Sequence, residues 1–322
     1  MRLLYLKLNE ATTKSYRMSY KNHSNAQVLD NWLQGFTKGS ATLDAQISAV
    51  SPNFSELKIN RTPELPGLVH VQLNRPKFVN ALSLSLWSEI DAFFDAVEKD
   101  SSVKCIILSG EGRGFSSGMD LKVFMDLRKK LDEEKCEGRK REQLNCLIAR
   151  LQYITSAPER SRVPVIASVH GICIGAALDL VAACDLRYSD ITAVFSVKEV
   201  DLAIIADLGA LQRLPKLIGE QQTKELAYTG RNMSGKEAEK IGLVSTCWES
   251  NEELTKQVHQ IAKSICGKSE LAIRGIKESI QYARDHSTID SLQQVRMHNA
   301  AVLLNTDLDS IISAFASRNN SK

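Results

Sequence analysis

Short apolar runs alternate with helical patterns through the middle of the chain. Leu68 to Leu73, Lys104 to Leu108, Pro164 to Val169 and Ala193 to Val197 each read as a strand, and the segments between them carry apolar residues at helical spacing. This alternation from Leu65 to Val244 predicts an α/β class. Val163 to Val169 is rich in β-branched residues around Pro164, the pattern of a strand buried on both faces, and a turn follows at Gly171. From Gly175 onward, Ala176, Ala177, Leu178, Leu180, Val181, Ala182 and Ala183 suit a helix inside the core that ends before Cys184 and Asp185. The charged stretch Asp126 to Tyr153 keeps Leu131, Leu144, Ile148 and Leu151 among lysines and arginines, which predicts one amphipathic helix with a solvated face. After Ser250 the pattern is wholly helical, in Leu254 to Ile265, Ala272 to Tyr282 and Ile289 to Leu304.

Asp179, Glu199 and Asp207 sit in or beside the most apolar stretch, Val163 to Gly219. Asp179 falls one turn inside the predicted helix, Glu199 at the exit of the strand ending at Val197, and Asp207 in a loop before Gly209. An ionised carboxylate is expensive to bury without a partner, so such groups shift their pKa or take part in chemistry. Separate loops on a rigid scaffold can bring them to one cleft. The plainer readings are a buried structural carboxylate bonded to backbone for Asp179, and salt bridges to Lys198, Arg213 or Lys216 for Glu199 and Asp207. Asp185 and Arg187 read as an ion pair. His170 reads as a satisfied core histidine, and His23, His70, His259, His286 and His298 show no metal-ligand spacing.

Small residues mark two places where backbone can meet a ligand. The N–H groups of a first helical turn lack partners within the helix, and Gly175-Ala176-Ala177 leaves them approachable by a substrate oxygen. Upstream, Gly110 to Lys122 reads GEGRGFSSGMDLK, with glycines at 110, 112, 114 and 118. The dinucleotide pattern G-x-G-x-x-G fails here in both registers, at Phe115 or at Ser117. Gly114-Phe115-Ser116-Ser117-Gly118 matches the G-x-S-x-G of a nucleophile elbow, but several loop residues separate Ser116 from the strand that would have to present it.

The stretches LNRPKFVNAL (Leu73 to Leu82), GFSSGMDLK, VPVIASVHGICIGAALDL, QRLPKLIG and GLVS (Gly242 to Ser245) together resemble the enoyl-CoA hydratase/isomerase, or crotonase, family. The likeness runs in order from about Pro66 to the C-terminus. Within the family, VKEVDLAIIADLGALQRLPKLIG and RDHSTIDSL (Arg284 to Leu292) are most similar to the Δ3,5-Δ2,4-dienoyl-CoA isomerases. The resemblance implies a crotonase-type spiral of repeated ββα units with a C-terminal helical region. It implies an oxyanion hole from the backbone N–H groups of Met119 and Ala176, the latter standing where the family usually has glycine. It makes Asp179, Glu199 and Asp207 the catalytic acids, with Glu199 and Asp207 moving protons and Asp179 beside them. Substrate or coenzyme A contacts would fall on Lys77, Phe78, Ser117, Gly118, Asp120, Leu121 and Lys122. The implied reaction moves a C2 proton out and a C6 proton in, on an acyl-CoA thioester, with no metal and no cofactor beyond the substrate's own coenzyme A. Asp207 replaces the glycine expected of a hydratase. A 2-enoyl-CoA hydratase and a non-catalytic acyl-CoA or RNA-binding member of the fold are the alternatives. Homotrimers or homohexamers are expected on the same ground.

Composition adds the setting. A chain of 322 residues can bury a substantial core, and a net charge of +3 gives no case for nucleic acid as a partner. Seven cysteines without C-x-x-C pairs point to free thiols in a reducing compartment, and no apolar run reaches the roughly 18 residues of a membrane span. Met1 to Gln27 carries Arg2, Lys7, Lys14, Arg17 and Lys21 against Glu10, like a mitochondrial transit segment, so the matrix is the expected location. The peroxisome is the alternative, although the terminal Asn-Ser-Lys is not Ser-Lys-Leu. The expected organisation is an N-terminal extension over 1–60, an α/β core over 61–250 and a helical oligomerisation region over 251–322.

Overall fold

The structure is a computed structural model that describes residues 54–319, and the transit reading of Met1 to Gln27 lies outside them. A six-stranded sheet forms its centre, in the order β1 (Leu57–Arg61), β2 (Leu68–Leu73), β3 (Cys105–Gly110), β4 (Val165–Val169), β6 (Leu186–Asp190) and β9 (Cys247–Trp248). β1 pairs antiparallel with β2, and every other neighbour in this sheet is parallel. Every residue of β3 and β4 is buried, which is why their sequences read as unbroken apolar runs without alternation. A smaller sheet joins β5 (Ile172–Ile174), β7 (Val194–Ser196) and β8 (Met233–Ser234). The expected α/β class is observed. β1 straddles the 60/61 boundary, so the sheet begins inside the segment read as an extension.

The helices form where local chemistry supports them. α1 (Leu84–Lys99) starts at Ser83, whose hydroxyl accepts the Leu86 N–H at 3.0 Å, and buries Leu86, Trp87, Ile90, Phe93, Phe94 and Val97. The single helix expected over Asp126 to Tyr153 is instead two, α2 (Leu121–Glu133) and α3 (Glu137–Thr155), followed by the short α4 (Ala157–Arg160). The break has a local cause: Glu134 leaves the helical backbone, and its own carboxylate accepts the Cys136 N–H at 2.8 Å. The buried helix predicted after Gly175 is α5 (Ala176–Ala182), every residue of which is buried. α6 (Ala210–Ile218), α7 (Glu220–Thr229) and α8 (Gly235–Lys240) complete the core. All seven cysteines are free, five of them buried.

After the sheet come α9 (Asn251–Cys266), α10 (Glu270–Tyr282), α11 (Thr288–Val302) and α12 (Thr306–Asn319), the last beyond the segments that sequence periodicity marked out. α9 covers one sheet face with Leu254, Val258, Ala262 and Cys266, a stripe at i, i+4 spacing set against Leu68, Cys105, Ile107 and Ile166. No helix among the described residues is long and apolar enough to cross a membrane.

Topology places the site. β3 and β4 are parallel neighbours, so the chain leaves both at the same sheet edge, β3 into the 111–120 loop and β4 into β5 and α5. The loop runs alongside β5 through a bridge between Ser116 and Cys173, with Ser116 N–H donating to the Ile172 carbonyl at 2.8 Å.

One buried lysine fastens the C-terminal helices to this core. Lys277 of α10 is 7 % exposed and donates to the carbonyls of Pro158 and Val163, at 2.8 and 2.9 Å, and to Asp185 Oδ2 at 2.7 Å. Asp185 therefore does not pair with Arg187 as the sequence suggested. Arg187 spends its donors on the Leu243 and Cys184 carbonyls, because its strand start faces the two chain ends that carry them. Burial holds the Asp185 carboxyl above its usual range, with Lys277 acting against that rise. Removing the lysine leaves a desolvated carboxyl and two unmet carbonyls. Lys277→Met is expected to destabilise the protein by about 3–5 kcal/mol, read as a lower urea midpoint with the secondary structure retained.

Candidate active site

Two loop backbones and three carboxylates converge at the edge where β3 and β4 end. The first backbone is Gly110 to Met119. A methyl group on Gly110 would lie 2.5 Å from the carbonyl oxygens of Gly114 and Phe115, so the loop folds back on its own start only because that position is glycine. Gly118 has φ +84°, and a β-carbon there would come within 2.6 Å of the Ile174 oxygen and 3.6 Å of the Ala176 nitrogen. The chain at Gly118–Met119 is thus laid directly against the start of α5. Leu82 N–H donates to Gly118 O at 2.8 Å and Asp120 N–H to Leu82 O at 3.1 Å, which pins the strand-like stretch on either side of Met119. The N–H groups of Met119 and Ala176 have no backbone acceptor among the described residues. They are the two free donors that an oxyanion hole needs.

The acids come from three elements. Asp179, inside α5, is 1 % exposed, and its Oδ1 accepts the N–H of Ala210, the first residue of α6. Glu199 opens a 3-10 turn, Glu199–Leu202, just after β7 and is 9 % exposed. Its Oε1 stands 3.4 Å from where a β-carbon on Gly175 would sit, next to the Ala176 donor, and its Oε2 is buried without a hydrogen-bond partner. Asp207 is half-buried in the loop before α6, and Gln152 of α3 holds its backbone carbonyl at 2.6 Å. Asp179 and Glu199 share a side-chain hydrogen bond, and the charge of Asp207 acts on both.

Burial raises all three carboxyl pKa values. For Asp179 burial comes first and the charge of Glu199 next, and together they lift it well above the usual carboxylate range against the pull of the Ala210 N–H. Glu199 is raised by burial, with its own backbone N–H and the hydrogen bond from Asp179 opposing. Asp207 is raised by burial against its own backbone N–H. Asp179 is the more deeply buried of the two, and their mutual interaction pushes its carboxyl up while drawing that of Glu199 down. Neither Glu199 nor Asp207 enters an ion pair among the described residues, and two of the bases the sequence offered them are engaged elsewhere. Lys198 pairs with Asp201 at 2.7 Å, and Arg213 with Glu159 at 2.6 Å.

Other residues singled out from sequence fall as follows. Ser116 is fully buried, donating to the Asn80 carbonyl at 2.7 Å and accepting the Gly118 N–H at 3.1 Å, so it is a loop brace without the partners of a nucleophile. His170 bonds the Gly112 carbonyl at 2.8 Å. Lys77, Phe78, Leu121 and Lys122 are exposed, Ser117 is partly so, and Phe78 lies under the Arg75 guanidinium at 4.9 Å. Asp120 is taken up by its own surroundings: it caps α2 through the Lys122 N–H at 3.0 Å and pairs with Arg75 at 3.1 Å. Sequence reasoning passed over Gln152 and Asn80, both polar residues in segments read as a helix face or a family motif. Only the tertiary contacts show what they hold. A cavity of about 790 Å³ borders the Asp207 loop, lined by Gln152, Glu159, Arg187, Arg213 and Arg284. Asp207 itself lines it, while Asp179 and Glu199 do not.

The family model described as enoyl-CoA hydratase/isomerase matches residues 64–319. The peroxisomal Delta(3,5)-Delta(2,4)-dienoyl-CoA isomerase of Arabidopsis thaliana is 42 % identical over 262 residues, covering 81 % of this chain and 94 % of that one. The mitochondrial protein of the same name from Homo sapiens is 38 % identical over 267 residues, 82 % of this chain and 80 % of that one. The crystal structure of enoyl-CoA hydratase from Bacillus anthracis superposes with a TM-score of 0.72 at 30 % identity, over 82 % of this chain and 96 % of that one. With the matched region running from before the second strand to the last described helix, and the expected crotonase-type architecture found in a solved relative, the chain belongs to the enoyl-CoA hydratase/isomerase family.

Proposed function

We propose that the protein is a Δ3,5-Δ2,4-dienoyl-CoA isomerase of fatty-acid β-oxidation. The observation that carries this reading is the third acid: Asp207 lies near enough for its charge to act on Asp179 and Glu199, and Glu199 in turn lies beside Gly175, at the start of the helix that offers the Ala176 N–H. Relatives bearing that activity in their names align over four fifths of the chain.

The thioester oxygen accepts from Met119 and Ala176. One of Glu199 and Asp207, ionised, takes a proton from C2, and the electron pair spreads through the diene onto the thioester oxygen as a dienolate. The other, protonated, gives its proton to C6, the double bonds shift to 2,4, and the oxygen charge is discharged. The two donors act on charge that exists only in the intermediate and the flanking transition states, where each is worth about 3–4 kcal/mol. The raised carboxyl pKa values support one acid being protonated near neutral pH while its partner is ionised. Asp179, its oxygens already committed to Ala210 and Glu199, serves in this reading to orient the pair and to tune it. The reaction calls on no cofactor beyond the substrate's own coenzyme A. Exposed Lys77 and Lys122 suit the coenzyme phosphates, and apolar Leu121, Phe124 and Met125 on α2 suit the acyl chain. Exposed apolar residues on α10 to α12, among them Ile280, Ile289, Leu292 and Phe315, support a homotrimer or a pair of trimers. The mitochondrial matrix is the proposed compartment, supported by the basic, acid-poor first 27 residues and the human relative's name, with the Arabidopsis relative's name favouring the peroxisome.

Asp207→Asn and Glu199→Gln are each expected to lower kcat by at least about 100-fold in an ultraviolet assay for conjugated 2,4-dienoyl-CoA made from 3,5-dienoyl-CoA. A parallel assay should show little hydration of 2-enoyl-CoA. Near wild-type turnover by Asp207→Asn, or hydration exceeding isomerisation, would sink the reading in favour of a hydratase.

Asp179 generates a separate expectation. Its folded pKa lies above its ordinary 3.8, so both states are protonated at lower pH, and as pH rises the unfolded chain releases its proton first. Its contribution to stability therefore falls as pH rises from about 4 toward the folded pKa. Asp179→Asn keeps the acceptor for Ala210 and a donor for Glu199 without that loss. Its melting temperature relative to the wild type should climb between pH 4 and pH 8; a difference independent of pH would show that the carboxyl is not held protonated.

A further inference from the structure

We infer that Asn80 is the positioning residue for the Met119 oxyanion donor, acting as a single clamp across the loop that presents it. Asn80 is fully buried and, with Val79 before it, adopts positive φ, at 51° and 49°. Consecutive left-handed residues that are not glycine persist only where surroundings hold them. The side chain does the holding. Its Oδ1 accepts the Arg75 N–H at 2.8 Å, which closes the 75–80 turn on itself together with Asn80 N–H to Arg75 O at 3.0 Å. Its Nδ2 faces the carbonyls of Glu111, Gly114 and Phe115 at 2.9, 2.9 and 3.1 Å, three points along the 111–119 loop. No other donor reaches these three oxygens among the described residues. The Asn80 carbonyl continues the chain of contacts: it accepts from Ser116 Oγ, which accepts from the Gly118 N–H, one residue before Met119.

The chemistry requires a side chain that donates two hydrogens and accepts one bond within the length of a single methylene. Asparagine alone meets this. Aspartate has the same shape but would face three carbonyl oxygens with no hydrogen to give them. Phe115 and Ser116 anchor the middle of the loop, but Gly118 lies so close to the start of α5 that a β-carbon on it would touch the Ala176 nitrogen, and that closeness must be kept for the two N–H groups to share one oxygen. A shift of the loop by a fraction of an ångström would therefore separate the donors while leaving the acids in place.

This inference rests on the proposed function, and the test separates the two. A conjugated 2,4-dienoyl-CoA absorbs at longer wavelength when hydrogen bonds polarise its thioester carbonyl, so the red shift of bound product reports the oxyanion donors without any turnover. In full-length Asn80→Asp the expected results are a kcat lower by about 100-fold, the scale of losing one oxyanion donor, a KM within about threefold, and a diminished red shift at saturating product. Ser116→Ala, which cuts the link to Gly118 and spares the amide, should move kcat and red shift in the same direction by a smaller factor. A folded Asn80→Asp protein with an undiminished red shift overturns the inference. If that variant does not fold, Ser116→Ala decides, and an undiminished red shift there overturns it equally. Wild-type protein that shifts the product spectrum but turns over no 3,5-dienoyl-CoA would refute the isomerase reading while leaving the role of Asn80 intact.

Discussion

A carboxyl group almost wholly removed from water, Asp179, is the point through which the rest of the site is assembled. It stands inside a helix whose every residue is buried, it takes the N–H of Ala210, and it shares a hydrogen with Glu199. Those three attachments tie together α5, which offers the Ala176 donor, the turn that carries Glu199, and the helix that follows the Asp207 loop. The cost of desolvating such a group lifts its pKa well above the usual carboxylate range, and the Ala210 N–H offsets part of that cost. Once it is so placed, the two neighbouring acids inherit a low-dielectric setting in which one negative charge discourages the next. That mutual discouragement is what lets carboxyl groups serve as proton donor and acceptor at a pH where free ones would all be ionised.

The amide side of the site has a different logic. Its donors belong to backbone, so no side chain marks them, and their aim depends on loop shape. Glycine at 110 and 118 removes the β-carbons that would stop the loop from folding against itself and against α5. Where glycine gives up the side chain to gain close approach, the loop is fixed by buried Phe115 and Ser116, by pairing with β5 and by Asn80. Rigidity at the donors is thus borrowed from a turn in a neighbouring segment.

Farther out, charge is used for attachment. Lys277 reaches into the core to meet Asp185 and two carbonyls, and Arg162, just ahead of β4, meets Glu270 at the start of α10. These contacts dock the C-terminal helices on the body while their own apolar residues remain largely outward-facing, since α11 buries none of its residues. The fold therefore splits into a core held by apolar packing and an arm held by a few specific polar contacts.

Much of this was legible in the residues. The strands at 68–73, 165–169 and 194–196 followed from short β-branched runs, and α5 from small apolar residues after Gly175, because periodicity and burial are local consequences of side-chain chemistry. The acids stood out for being charged in an apolar stretch. The division of Asp126 to Tyr153 into two helices was not legible, since it turns on one carboxylate bonding a backbone N–H two residues away. Nor was the partner of Asp185, which comes from 92 residues downstream. By itself, then, the sequence determined the element types, the set of acids and the family resemblance. Tertiary structure alone decided that Ala210 caps Asp179, that Gln152 holds the Asp207 loop, and that Asn80 braces the loop bearing Met119. Each of these joins a side chain to a backbone group far away along the chain, and a backbone group looks the same in every residue until folding selects which one is near.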